Sequence, residues 1–532
     1  SEQNKFFPLD LHGIRLYGLE KWVEENNPNP FCGLYQRIYK EIYESYAKNF
    51  CKNPSDQIIY YTGLVNYKII FYLTQYFYNL ICLNRIREMG FDYVAGKSLE
   101  SIAQHFNSIH SKFENDFLDD SVFNLDIMEK IKENYRKIKL NYENNGLLDS
   151  LFPAKSRNNA YLIGDRTQKE LLAFIEKNLN PICIRPKLYI KPDSAKLANS
   201  EKIISLSERF FSEIESKIAN FAENKLNLGE AVKNRFSDFF VKTGLILSGT
   251  LKNLSGWNNG VLLVTHPGNM HHRIFASVWK MLGKETIGFS HGNIYPYAYY
   301  PGDILNGALA ILDKFVVASK GEKYLIEEAL MDFHSPLKGQ FQPVAPEKSE
   351  YEKIYRSFSK QPRIETKKKV VIVGHPMDYY NSPLLPFLNT FSILHLEYRL
   401  IISLKNAGYK VAYKYHPDTE KDCSGLFDGL ADEISKGRFE DNFNNWDCII
   451  LTKPFSTTFG FTLMSRKPVV LLCHKDINWH PEDKSLLEKR ISIVKTETNS
   501  SGVIQFDQND LLQNIESAKN KMDFSIVEKF AL

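Results

Sequence analysis

The sequence predicts an α/β protein made of two parallel-sheet units behind a mainly helical N-terminal region. Three observations carry this. From about residue 258 to about residue 520, short apolar runs recur, each followed by loop residues or a helical pattern. A stretch rich in Pro, Lys, Glu, Gln and Ser interrupts that alternation before residue 368. Upstream of about residue 240, apolar residues instead fall at helical spacing.

Taken in order, residues 1–240 read as helix, with the clearest periodicity at 127–142 and 203–222. Tyr and Phe are dense here, above all at 71–78. Helix core is the plain reading of them, and an acceptor-binding, partner-binding or membrane-facing surface is the functional one. Residues 241–340 form the first α/β unit, on the acceptor side, with strands expected at 261–265, 286–289 and 315–318. Residues 341–368, with Pro343, Pro346 and Pro362, read as a linker. Residues 369–532 form the second unit. Its strands are expected at 370–374, 410–414, 447–451 and 468–473, and its helices at 393–406 (stopped by Gly408), 457–465 and 511–519.

Composition narrows the class. The 532 residues are 43% hydrophobic, 13% aromatic and 24% charged, which is globular and excludes disordered and fibrous chains. The 67 Lys and Arg are dispersed among 63 Asp and Glu, so no basic face for nucleic acid is signalled. Seven scattered cysteines without a CxxC pair signal neither a disulfide framework nor a zinc site. Residues 1–30 lack a basic stretch followed by an apolar core, and the apolar stretch 69–82 is broken by Gln75 and Asn79. The expected location is the cytoplasm, with peripheral association to the inner membrane face as a variant of it. A phosphate loop of the Walker type, GxGxxG after a strand and GxSxG are all absent, which weighs against an ATPase, a dinucleotide oxidoreductase and an esterase.

Ligands of open α/β sheets bind beyond the carboxyl ends of the strands, so the residues there are the candidates. Lys414-Tyr415-His416-Pro417 ends one expected strand. Pro417 holds His416 extended, which suits donation to a phosphate oxygen, with Lys414 adding charge; the plain reading is a packed or solvated strand-end His. Ser456, Thr457 and Thr458 open a helix after the next strand and offer hydroxyls and free N–H groups to an anion, or simply cap that helix. The two elements were expected on adjacent βα units. Gly374-His375 closes the first strand of the second unit, as a loop that approaches a nucleotide. Glu397, Asp418 and Glu420 are candidates for a ribose hydroxyl, or solvated acids. In the first unit, His291 in the turn Ser290-His291-Gly292 suits a general base or a phosphate contact. Asp303 and Asp313 are weaker candidates for the base. His266, His271 and His272 lack an acidic partner at ligand spacing, so no metal site is expected.

His416-Pro417 followed about 40 residues later by Ser456-Thr457 resembles the His-Pro and Ser-Ser/Thr motifs of bacterial sialyltransferases and Kdo transferases. The His291-Gly292 turn is also similar to that of transferases using CDP-glycerol or CDP-ribitol. The resemblance covers roughly residues 258–520, and no acidic-acidic-Gly motif accompanies it. It implies a GT-B fold of two Rossmann-type domains and a CMP-activated sugar acid as donor. It further implies transfer to a hydroxyl of a surface glycan, glycolipid or glycoprotein, with inverting chemistry and no metal or cofactor. His416, Ser456 and Thr457 would hold the donor phosphate and His291 would deprotonate the acceptor. The alternatives are a CDP-alditol transferase, a UDP-sugar transferase of the same fold, and a non-catalytic glycan-binding scaffold.

Overall fold

The computed structural model describes residues 19–24, 34–52, 55–67, 159–163, 181–183, 200–221, 230–255, 260–265, 270–290, 309–332, 342–345, 350–359, 368–374, 390–417, 420–454, 456–475, 481–499 and 503–531, with single residues or pairs between 69 and 81 and at 477 and 479. Within them lie two sheets. The first contains β1 (Asn159–Ile163), β2 (Pro181–Cys183), β3 (Gly260–Val264), β4 (Thr286–Phe289), β5 (Lys314–Val316) and β6 (Gln342–Val344). All are parallel, in the order β2-β1-β3-β4-β5-β6. The second contains β7 (Lys369–Val373), β8 (Lys410–Lys414), β9 (Glu433–Ile434), β10 (Cys448–Leu451), β11 (Val469–His474), β12 (Ser492–Thr498) and β13 (Ile504–Gln505). Its order is β13-β12-β11-β10-β7-β8-β9, and only β13 runs antiparallel, at the edge.

These two parallel-sheet α/β units are the GT-B-like, Rossmann-type arrangement the sequence predicts. The chemistry of the strands explains why they were legible. Helices Thr390–Asn406, Thr457–Met464 and Pro481–Arg490 connect β7 to β8, β10 to β11 and β11 to β12. A strand in such a sheet is covered on both faces and needs a continuous apolar run. Every residue of β10 and β11 is buried accordingly. Gly408 ends the first of these helices with φ +80°, a backbone conformation that costs glycine little.

Two expected boundaries move. The first sheet begins at β1 and β2, inside the stretch read as helical, rather than after residue 241; β1 pairs with β3 along all five of its residues. The stretch 341–368 is more than a connection, because β6 completes the first sheet and a helix occupies Glu350–Ser359. Strands of three to five residues contain too few alternations to register against helical neighbours. The helix did leave a trace: Tyr351, Ile354, Tyr355 and Phe358 follow helical spacing, and Tyr351 and Phe358 are buried.

Helices Leu34–Phe50, Gln57–Val65, Ser200–Ile218, Glu230–Leu254 and Met270–Met281 share one core with the first sheet. Phe50 and Phe240 stack at 4.5 Å in it, and Phe77, Phe210 and Phe211 are buried. The aromatic surplus in these described residues is therefore core. Arg273, fully buried, donates from Nε to the Leu64 carbonyl (3.2 Å) and ties Met270–Met281 to Gln57–Val65. The expected helix at 127–142 lies outside the described residues. No helix among the described residues is long and apolar enough to cross a membrane.

The sequence ends cross between units. Helix Ser525–Ala531 packs against Lys320–Asp332 of the first unit, and helix Leu19–Glu24 places Val23 in the core of the second.

Candidate functional site

In the second sheet β7 is flanked by β8 on one side and β10 on the other, so the chain reverses its direction of travel between β7 and β10. Such a switch point opens a crevice at the carboxyl ends of the strands. Gly374 lies at that end of β7, Lys414-Tyr415-His416 at that of β8, and Thr452 at that of β10. The His416 and Ser456 elements therefore do not follow neighbouring strands, as the sequence reading had it. They bracket β7, with Gly374 between them.

The backbone here is closely packed. Gly374 donates its N–H to the Lys414 carbonyl (2.9 Å). A Cβ at Gly374 would lie 2.3 Å from the Tyr413 hydroxyl oxygen, so only glycine fits. Beneath it, the fully buried Glu397 accepts from the Tyr413 hydroxyl at Oε2 (2.6 Å) and from Thr452 Oγ1 at Oε1 (3.2 Å). The rings of Tyr413, Tyr415 and Phe427 pack together, and the Phe427 N–H donates to the Tyr415 hydroxyl (3.0 Å). This wall carries His416, half-buried, and Pro417, exposed.

The candidates among the described residues fall in different settings. Lys414 is buried and its ammonium donates to the Tyr415 carbonyl (3.0 Å). Burial lowers its pKa, against the opposing charges of Glu420 and Glu440. Ser456 is the N-cap of helix Thr457–Met464, with φ −161° and ψ 153°, and its hydroxyl accepts the Phe459 N–H (3.0 Å). The capping reading accounts for that hydroxyl. Thr457 is exposed and Thr458 half-buried at the first two helical positions, where backbone N–H groups have no acceptor within the helix. Glu397 does not face a ribose, since it is buried among the hydroxyls it holds. Asp313 precedes β5 and so sits at the amino ends of the strands, accepting from the Thr286 N–H (2.8 Å) and Oγ1 (2.9 Å) and pairing with Lys280; that edge is opposite to the one where ligands of open α/β sheets bind. His271 and His272 are half-buried on helix Met270–Met281. His266, His291, Asp303, His375 and Asp418 lie outside the described residues. Among the described residues, no three His, Cys, Asp or Glu side chains gather as a metal site.

The first sheet carries a second buried glutamate that sequence reasoning passed over. Glu322 accepts from Ser290 Oγ (2.7 Å) and from the Ala318 N–H (2.5 Å), while its own N–H donates to Ser319 Oγ (3.1 Å). Ser290 follows β4 and Ala318 follows β5, so this carboxylate joins two strand ends. Ser319-x-x-Glu322 has the spacing of a capping box, and that signal was available. Nothing local marks Glu397 or its partners.

In sequence, the chain matches no protein-family model and no curated protein. Solved structures resemble it only remotely. The UDP-GlcNAc 2-epimerase of Methanocaldococcus jannaschii, in complex with UDP-GlcNAc and UDP, is 13% identical with a TM-score of 0.35, over 69% of this chain and 94% of that one. Os79 of O. sativa in complex with UDP is 14% identical with a TM-score of 0.33, over 70% and 93%. Anabaena HepE in complex with UDP is 9% identical with a TM-score of 0.30, over 70% and 96%.

Proposed function

We propose that this protein is a nucleotide-sugar-dependent glycosyltransferase of the GT-B kind, whose second unit takes the donor at the β7–β10 switch point. The observation that carries the reading is convergence at one sheet edge. A glycine-only close approach at Gly374, the half-buried His416 after β8 and the open helix start at Thr457-Thr458 after β10 all meet there. His416 would donate to the departing phosphate, and the backbone N–H groups of Thr457 and Thr458 would bind its oxygens. Lys414 contributes through burial behind this wall rather than by direct contact. The base that deprotonates the acceptor hydroxyl is assigned to His291, with Asp303 behind it, on residue chemistry alone. The acceptor is a hydroxyl of a glycan, glycolipid or glycoprotein, and turnover is expected to survive EDTA.

For the donor nucleotide we place UDP ahead of CMP. The resemblance behind a CMP-activated sugar acid rests on the His-Pro and Ser-Thr pair. The Ser456 half of that pair is accounted for by helix capping. The test is calorimetric titration of the protein with UDP, CMP, CDP and GDP, repeated on His416→Ala. Selective UDP binding that His416→Ala weakens at least tenfold, about 1.4 kcal/mol, supports the reading. A CMP preference restores the sugar acid, and a CDP preference favours an alditol phosphate. Binding of none of the four would make the protein a non-catalytic scaffold.

A further inference from the structure

We propose that Glu397 is a positioning residue for the donor site, setting the places of the three strand ends that meet at the switch point. The inference rests on reading that edge as the nucleotide site.

Glu397 sits on helix Thr390–Asn406, which connects β7 to β8, and its side chain has no exposed surface. A carboxylate in such a place costs several kcal/mol unless hydrogen bonds repay it. What the carboxylate adds is two directed bonds to two different strand ends. Oε2 takes the Tyr413 hydroxyl (2.6 Å), three residues before His416, and Oε1 takes Thr452 Oγ1 (3.2 Å), four residues before Ser456. The Tyr413 hydroxyl held in this way is the atom that closes the space over Gly374. A single side chain thereby sets the distance between the His416 turn and the Ser456 helix start, with the Gly374 backbone clamped between them. The Tyr413 bond has the short length of a hydroxyl-to-carboxylate contact, which suits this task. Glu397 touches no ligand, because the two hydroxyls and the chain that bears them intervene.

The test uses the full chain and measures nucleotide affinity alongside thermal unfolding. Tyr413→Phe and Thr452→Val preserve shape and each remove one bond to Glu397. Each is expected to weaken binding of the preferred nucleotide about three- to tenfold, measured well below the unfolding midpoint. Glu397→Gln, which keeps one acceptor, is expected to bind better than Glu397→Ala. In a double-mutant cycle, Tyr413→Phe should cost little further affinity once His416→Ala is present, since both act through one contact. Unchanged affinity in folded Tyr413→Phe and Thr452→Val overturns the proposal, as does strict additivity with a His416→Ala that itself weakens binding. Weakening by Tyr413→Phe with no effect of His416→Ala supports the positioning role while removing His416 from the site. Absence of any nucleotide binding in the unaltered protein overturns both readings together.

Discussion

The Ser319 hydroxyl donates to the Phe530 carbonyl across 211 residues of sequence, fastening helix Ser525–Ala531 to the first unit. The same hydroxyl accepts the Glu322 N–H (3.1 Å) and so caps helix Lys320–Asp332. Two residues further on, Gly321 lets the two helix backbones touch, since a Cβ there would lie 2.3 Å from Phe530 Cα.

Gly321→Ala is therefore expected to push the C-terminal helix off its seat. Backbone cannot yield as a flexible side chain does, and overpacking of this kind costs about 1–3 kcal/mol. Ser319→Ala removes a helix cap and should cost about 1 kcal/mol. Both variants should lower the thermal midpoint and speed hydrogen exchange in the amides of Ser525–Ala531. Unchanged exchange there would mean the helix is held by other contacts.

Glu322→Ala takes an acceptor away from two buried donors, Ser290 Oγ and the Ala318 N–H. About 1–3 kcal/mol for each donor is the expected loss. Glu322→Gln, which retains one oxygen and adds an amide donor, should lose less. Denaturant titration of the two variants side by side checks the order.

Ser456 and Thr457 are adjacent, but the Ser456 hydroxyl caps the helix whereas Thr457 is exposed. Ser456→Ala should cost about 1 kcal/mol of stability through the lost cap, with a small effect on nucleotide affinity. Thr457→Pro, at the first helical position where proline is tolerated, removes the backbone N–H and should lower affinity at little cost in stability. Paired calorimetry and thermal melts distinguish the two, and the opposite pattern would put the Ser456 hydroxyl back in the phosphate site.

His395 gives the second unit an acid-sensitive contact. It is buried on helix Thr390–Asn406, accepts from Arg399 Nε at Nδ1 (3.0 Å), and faces the Leu19–Glu24 helix. Burial first, then the Arg399 charge, lowers its pKa from 6.5 to about 4, against a smaller opposing contribution from the Val23 backbone. Glu20 and Glu24 lie close enough to act on neighbouring Tyr398. An unfolded ring takes its proton near pH 6.5 and the folded ring only near pH 4. Between those values the unfolded state binds more protons, so stability falls as pH drops through the window. The loss attributable to this ring is about 3 kcal/mol in all. His395→Gln should flatten the pH dependence of the thermal midpoint between pH 6.5 and 4, and an unchanged slope would assign it to other groups.

Much of the second sheet was legible. β8 occupies the residues expected of it, and β7, β10 and β11 differ by a single residue at one or both ends. The rule that ligands gather at carboxyl ends drew attention to Gly374, His416 and Ser456, and all three follow strands of the second sheet. It failed for Asp313, whose place before rather than after β5 puts it on the other edge. Glu397 was named as a ribose contact or a solvated acid and is neither, because a Glu among the apolar residues of a helix looks solvated until the helix is seen to be covered.

By itself, the sequence determined the class of the main strands and helices of the second sheet and the presence of two parallel-sheet units. Those features depend on periodicity and breakers within a dozen residues. Only the tertiary structure decided that β1 and β2 join β3, that β7 separates β8 from β10, and that Glu397 joins Tyr413 to Thr452. Each of these is a contact between residues far apart in the chain. Its energy comes from pairing and burial that exist only once the sheets have closed, so no local pattern encodes it.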